Sequence, residues 1–190
     1  MYKKLVVAAL VFTLIITLLA GCARKAEPQK KPALPKIPEK ISRGAGEEPV
    51  LRVYEVQTQT VKEMKLEDYV AGVVAGEMEN YWPLEALAAQ AILARTYVLE
   101  FIEDKGGSKY GDADISTDFE EAQAWNPENI NDRVKKAVEM TRGKVVTYKG
   151  KYIKAWFHSH AGGMTATAKE GLNFKEEEPP YIKVTKSPDE

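Results

Sequence analysis

The chain has 190 residues, 27 of them basic and 28 acidic, with a formal net charge of −1 and one cysteine. Near-balanced charge excludes the strong basic field of a nucleic-acid binder, and a lone cysteine excludes an internal disulfide or a multi-cysteine zinc site. The length, less a leader and a spacer, suits one domain with a single core.

The chain opens with Lys3 and Lys4, runs 16 residues from 5 to 20 without a charge, and then reads Leu19-Ala20-Gly21-Cys22. Basic residues, an apolar run and small residues before a cut describe a secretory signal. The run is shorter than the roughly 20 residues that span a bilayer, although an uncleaved amino-terminal anchor is the alternative. Leu-Ala-Gly-Cys resembles the bacterial lipobox, which implies residues 1–22 as a lipoprotein signal, diacylglycerol on Cys22, and an extracytoplasmic protein lipid-anchored to the cell membrane. Residues 23–49 carry Pro28, Pro32, Pro35 and Pro38 but no aromatic, and are expected to form an extended, disordered spacer. Residues 50–190 are expected to form the domain.

Residues 51–56 alternate apolar and polar as a strand, and 61–65 are expected to return as its hairpin partner after a turn near Gln59. The stretch LEDYVAGVVAGEMENYWPLEALAAQAILARTYVLEF, residues 66–101, reads as two helices with a short break. Leu66, Val70 and Val73 mark the buried face of the first. Glu77 stands where that stripe should continue, and a carboxylate there is costly unless neutral, paired or used in chemistry. The second helix is expected to start at Pro83. Its buried face is Leu84, Leu87, Ala91, Ala94 and Val98, and Gln90 and Arg95 interrupt its apolar middle. Polar groups where packing would choose apolar ones point to function.

Residues 103–132 form a long polar loop in which Gln123 and Trp125 could hydrogen-bond and stack on a ligand, or cover the core. Residues 132–142 read as a helix ended by Gly143, with Val134, Ala137, Val138 and Thr141 on one face. A hairpin is expected about Lys149-Gly150, its second strand running from 151 to 159. The fold class is therefore α+β, with paired helices packed on an antiparallel sheet.

Three blocks, LEDYVAGVVAGEM, WPLEALAAQAILARTYVL and TRGKVVTYKGKYIKAWFHSHAGG, resemble the stage II sporulation protein D family, which includes amidase enhancers. The resemblance implies a peptidoglycan lytic transglycosylase that cleaves glycan strands in sporulation or envelope remodelling, alongside partner wall hydrolases. It places the catalytic acid at Glu77. Cleaving a glycosidic bond needs a proton on the leaving oxygen, and a carboxyl whose charged form is disfavoured by burial can supply it. No second carboxylate stands in an equally apolar setting, which favours a single acid/base over ordinary two-carboxylate hydrolysis. The competing interpretation of Glu77 is a structural ion pair with Arg95.

Gln90, Arg95, Gln123, Trp125, His158 and Ser159 are assigned to substrate binding, the last two with the Gly162-Gly163 turn as one wall of a sugar cleft. Tyr97 is read as core. His158 and His160 would share a strand face, as metal pairs do. Zinc in this family is associated with cysteine and histidine ligands in the loop before the Gln-x-aromatic motif. Residues 112–123 contain neither, so no metal and no cofactor are expected. A Ser159–His158 hydrolase is disfavoured because neighbouring strand residues face opposite ways. Family members generally continue well past the equivalent of Pro179-Pro180, so the domain is expected to be a short or truncated member. The functional alternative is a non-catalytic wall-binding module that enhances a partner amidase. A purely structural envelope lipoprotein would leave the polar groups on the paired helices without a role.

Overall fold

The computed structural model describes residues 33–188, together with Tyr2. The lipobox and Cys22 lie outside the described residues. Among the described residues no helix is long and apolar enough to cross a membrane.

The sheet is built on β2 (Pro49–Glu55), which pairs antiparallel with β3 (Thr60–Lys65) from Val50↔Lys65 to Glu55↔Thr60. Alternation holds as expected: Leu51 and Val53 are buried, while Arg52 between them and Tyr54 after them are only half-buried. The hairpin turns through Gln59 at φ 54°. The other edge of β2 is shared by β1 (Ser42–Arg43), antiparallel, and by β4 (Ile115–Ser116), parallel. The long loop thus contributes one strand that its polar sequence conceals.

Residues 34–49 depart from the expected spacer. Ile41 is only 4% exposed, Ile37 packs against the core, and the Lys40 ammonium donates to Gly106 O at 2.6 Å. Two isoleucines and a strand pairing give this stretch enough burial to offset the cost of ordering it, despite its prolines.

Helix α1 (Leu66–Glu77) follows β3 directly, and α2 (Leu84–Lys105) follows after a short turn. Pro83, expected as the first helical residue, is instead the N-cap, so the helix starts one residue later, and the Pro83 carbonyl accepts from Ala86 and Leu87 N–H. Gly106 at φ 75° ends α2. Leu66, Val70 and Val73 of α1 meet Leu87, Ala91, Ala94 and Val98 of α2 in one core. Helix α3 (Asp132–Met140), N-capped by the Asn131 side chain, packs on both and buries Val134, Ala137 and Val138.

The second hairpin, β5 (Thr147–Tyr148) and β6 (Lys151–Tyr152), turns through Lys149 and Gly150, both at positive φ. It is much shorter than expected. Ile153 N–H still reaches Val146 O, but Lys154 N–H goes to the Tyr181 hydroxyl, so the ladder ends there. Residues 153–160 are consequently irregular, and opposite strand faces no longer separate His158 from Ser159. A five-residue α4 (Ala168–Leu172), closed by a Thr167/Glu170 capping box, and a pairing of residues 163–165 with 185–187 complete the described chain.

Candidate active site

Glu77 is the last residue of α1 and is half-buried. A carboxylate at a helix C-terminus stands at the negative end of the dipole, where it costs rather than contributes stability. The acids placed for helix stability, Glu67 and Asp68, are at the other end. Glu77 Oε1 accepts the Ala124 N–H at 2.7 Å, and among the described residues no lysine, arginine or histidine forms an ion pair with it.

Two glycines explain how residue 124 reaches the helix. A methyl group on Gly72 would lie 2.1 Å from Trp125 Nε1, and one on Gly76 would lie 2.7 Å from the Ala124 carbonyl group and the Trp125 nitrogen. The loop backbone therefore rests directly on α1, with Asn126 N–H also donating to Gly72 O at 3.0 Å. Each glycine costs the helix about 0.5–1 kcal/mol against alanine. Two of them within 12 residues are the sequence signal for a close backbone approach, one that the stripe of apolar residues around them obscures.

Two tyrosines share these surroundings. Tyr69 is fully buried, and its phenol is pushed up by burial first and then by Tyr97, Glu121 and Glu77; its hydroxyl donates to Ser116 O at 3.3 Å. Tyr97 is half-buried rather than wholly core. Burial, then Glu100, Glu121 and Glu77, push its phenol up against the pull of Lys154. Both hydroxyls therefore stay protonated and act as donors, Tyr97 to Glu121 O at 3.4 Å. Glu121 itself is committed to the loop, accepting from Ser108 Oγ, Lys109 N–H and Ser116 Oγ.

Arg95 does not fit the substrate role, nor does it pair with Glu77. It is 1% exposed and grips Glu67 in a bidentate pair, Nε to Oε1 at 2.9 Å and Nη2 to Oε2 at 2.5 Å. Its Nη1 donates to Ala91 O and Lys144 O. Glu67 escapes notice in the sequence because an acid in a first helical turn is ordinarily explained by the dipole.

Gln90 and Gln123 are 7% and 3% exposed; Gln90 Nε2, both amide atoms of Gln123 and the half-buried Trp125 Nε1 have no hydrogen-bond partner among the described residues. Gln123 and Trp125 flank Ala124, so the fold does bring them to Glu77. His158 lines a separate groove of about 500 Å³ with Trp156, Tyr181 and Lys183. Ser159 is exposed and not on that lining, and neither is Glu77. The expected single cleft joining Glu77 to His158 and Ser159 is not what these side chains form.

The loop of residues 112–123 does not fit zinc. Its ligand-type side chains are carboxylates alone, and three of the five are engaged: Asp114 with Arg52, Asp118 with Lys109, Glu121 as above. Among the described residues no group of three or more histidines, cysteines or carboxylates is placed to hold a metal ion.

Asp118 is held down at about 2 by Lys109, then by Tyr110 and the Glu120 N–H. A depressed carboxyl stabilises the fold above its ordinary value near 4, and that contribution is lost as pH falls through about 2. Between pH 5 and pH 2 the amide of Glu120, which donates to Asp118 Oδ1 at 3.0 Å, is therefore expected to lose exchange protection before those of α2. Unchanged protection at pH 2 would contradict this.

The family described as Stage II sporulation protein matches residues 54–148. Stage II sporulation protein D of Bacillus amyloliquefaciens is 31% identical over 188 residues, 88% of this chain and 52% of that protein. The Bacillus subtilis (strain 168) protein of that name is 34% identical over 148 residues, 72% of this chain and 42% of its own length. The amidase enhancer of the same strain is 39% identical over 99 residues, 52% of this chain and 13% of that protein. The chain thus spans about half or less of these relatives. The matched segment runs from β2 to β5 and contains α1, α2, Glu77 and the loop seated on the two glycines: the chain belongs to the Stage II sporulation protein family.

Proposed function

We propose that this chain is a sporulation or envelope enzyme that cleaves peptidoglycan glycan strands by lytic transglycosylation, with Glu77 as acid and base in turn. The observation that carries this reading is a half-buried carboxylate at the unfavourable end of α1, fixed by one backbone N–H and free of any cationic partner among the described residues. Glu77 gives its proton to the glycosidic oxygen as the C1–O bond breaks. The 6-hydroxyl of the same sugar attacks C1, closing an anhydro ring, and its proton returns to Glu77. Glu121, the other carboxylate near Tyr69 and Tyr97, is occupied with loop hydrogen bonds, which supports a one-carboxyl scheme. Gln123 and Trp125 flank the donor to Glu77 and are the substrate-binding candidates nearest the acid. Lipid on Cys22 would tether the enzyme to the outer face of the cell membrane, with the residues after it as a spacer.

A second reading is favoured by the amidase enhancer relative: a wall-binding module that stimulates a partner amidase without cutting glycan itself. Mass spectrometry of digested, purified glycan strands separates the two. The first reading expects anhydro-sugar ends. Intact strands together with faster release of stem peptides by an added amidase would establish the second.

A further inference from the structure

Among the described residues the loop segment 123–126 contributes the one hydrogen bond that holds the Glu77 side chain, yet the polar side-chain atoms of Gln123 and Trp125 do not help to seat it. The amide of Gln123 and the indole N–H of Trp125 are buried without partners among the described residues. Besides the packing of the Trp125 ring, backbone fixes the segment: Ala124 N–H on Glu77, Asn126 N–H on Gly72 O, and the absence of side chains at Gly72 and Gly76. The two glycines are four residues apart and lie on one face of α1, under consecutive parts of the segment. They weaken the helix that carries them, so helix stability does not account for them.

We propose that Gly72 and Gly76 are positioning residues for the acid, a flat track on which the 123–126 segment seats so that Ala124 N–H meets the Glu77 carboxylate. This rests on the reading of Glu77 as the acid. The two positions differ in a way that makes the idea testable. A methyl at Gly72 collides with the Trp125 indole, which can be trimmed; one at Gly76 collides with the backbone of residues 124 and 125, which cannot.

Hydrogen exchange at the Ala124 amide, measured on the full chain in detergent without glycan, is the direct readout. Gly72→Ala and Gly76→Ala are each expected to speed that exchange about tenfold or more while the amides of α3 keep their protection. Adding Trp125→Ala should restore slow exchange to Gly72→Ala but not to Gly76→Ala. Glycan cleavage by Gly76→Ala should fall by up to about 10²-fold in kcat with KM little changed, the mark of a displaced acid rather than a lost binding contact.

Unchanged Ala124 exchange in both single variants would overturn the proposal. So would failure of Trp125→Ala to rescue Gly72→Ala, or full kcat in Gly76→Ala despite lost protection. If Gly76→Ala does not fold, rescue or its failure in the Gly72 and Trp125 pair decides between the outcomes. The exchange arm needs no glycan, so it stands or falls apart from the transglycosylase reading, which the glycan products and a Glu77 variant test.

Discussion

Glu77→Gln is expected to lower glycan cleavage by about 10²–10⁴-fold, the usual contribution of a general acid, while leaving the fold intact. Gln has nearly the same shape and keeps an oxygen that can accept the Ala124 N–H, so the 2.7 Å contact that seats the loop survives. What the variant loses is the proton delivered to the leaving oxygen. Because no ion pair to Glu77 is broken among the described residues, the melting temperature should change little. The measurement is release of anhydro-sugar ends from purified strands, with circular dichroism as the folding control. A folded Glu77→Gln protein that cleaves at the normal rate would end the assignment.

The largest loss of stability is expected at the other glutamate of α1, Glu67. Removing either partner of the Glu67–Arg95 pair, by Glu67→Gln or Arg95→Met, should cost about 3–5 kcal/mol, because the remaining charge stays buried without its partner. The pair is nearly closed to water, with side chains 8% and 1% exposed, so solvent screening offers little relief. At roughly 2–4 °C per kcal/mol for a domain of this size, the melting temperature should fall by about 10 °C. Arg95 also ties α2 to Lys144 O at 2.9 Å, so the segment leading into β5 should loosen in the same variants. The double variant Glu67→Leu/Arg95→Met should be more stable than either single one, since it leaves no orphan charge. Thermal unfolding of the four proteins checks this. An Arg95→Met protein as stable as the parent would show that the pair is dispensable.

The two glutamates of α1 show where local pattern runs out. Both are Glu, both sit on one short helix, and Arg95 follows within the next. Helical periodicity identifies Arg95 as out of place in an apolar middle, but its partner depends on how α2 crosses α1. That crossing is set by the packing of alanines and valines from both helices, which no local pattern reports. The competing Arg95–Glu77 pairing therefore gives way to Arg95–Glu67, and Glu77 is left without a cation among the described residues.

Local rules succeed where the physics is local. The helix pair of residues 66–101, the hairpin through Gln59, the tight turn at Lys149-Gly150 and the buried face of α3 all follow from side-chain period and turn chemistry within a few residues. The position of Glu77 on an apolar stripe is legible for the same reason. Tertiary structure alone decides the rest: that residues 34–49 join the core, that residues 115–116 add a parallel strand to β2, and that β6 stops at Tyr152. It also decides that the 123–126 segment lies on Gly72 and Gly76 and lends Glu77 its N–H. Each of these depends on groups far apart in the chain meeting at ångström distances, and their free energy comes from burial and hydrogen bonds that exist only after the helices have packed.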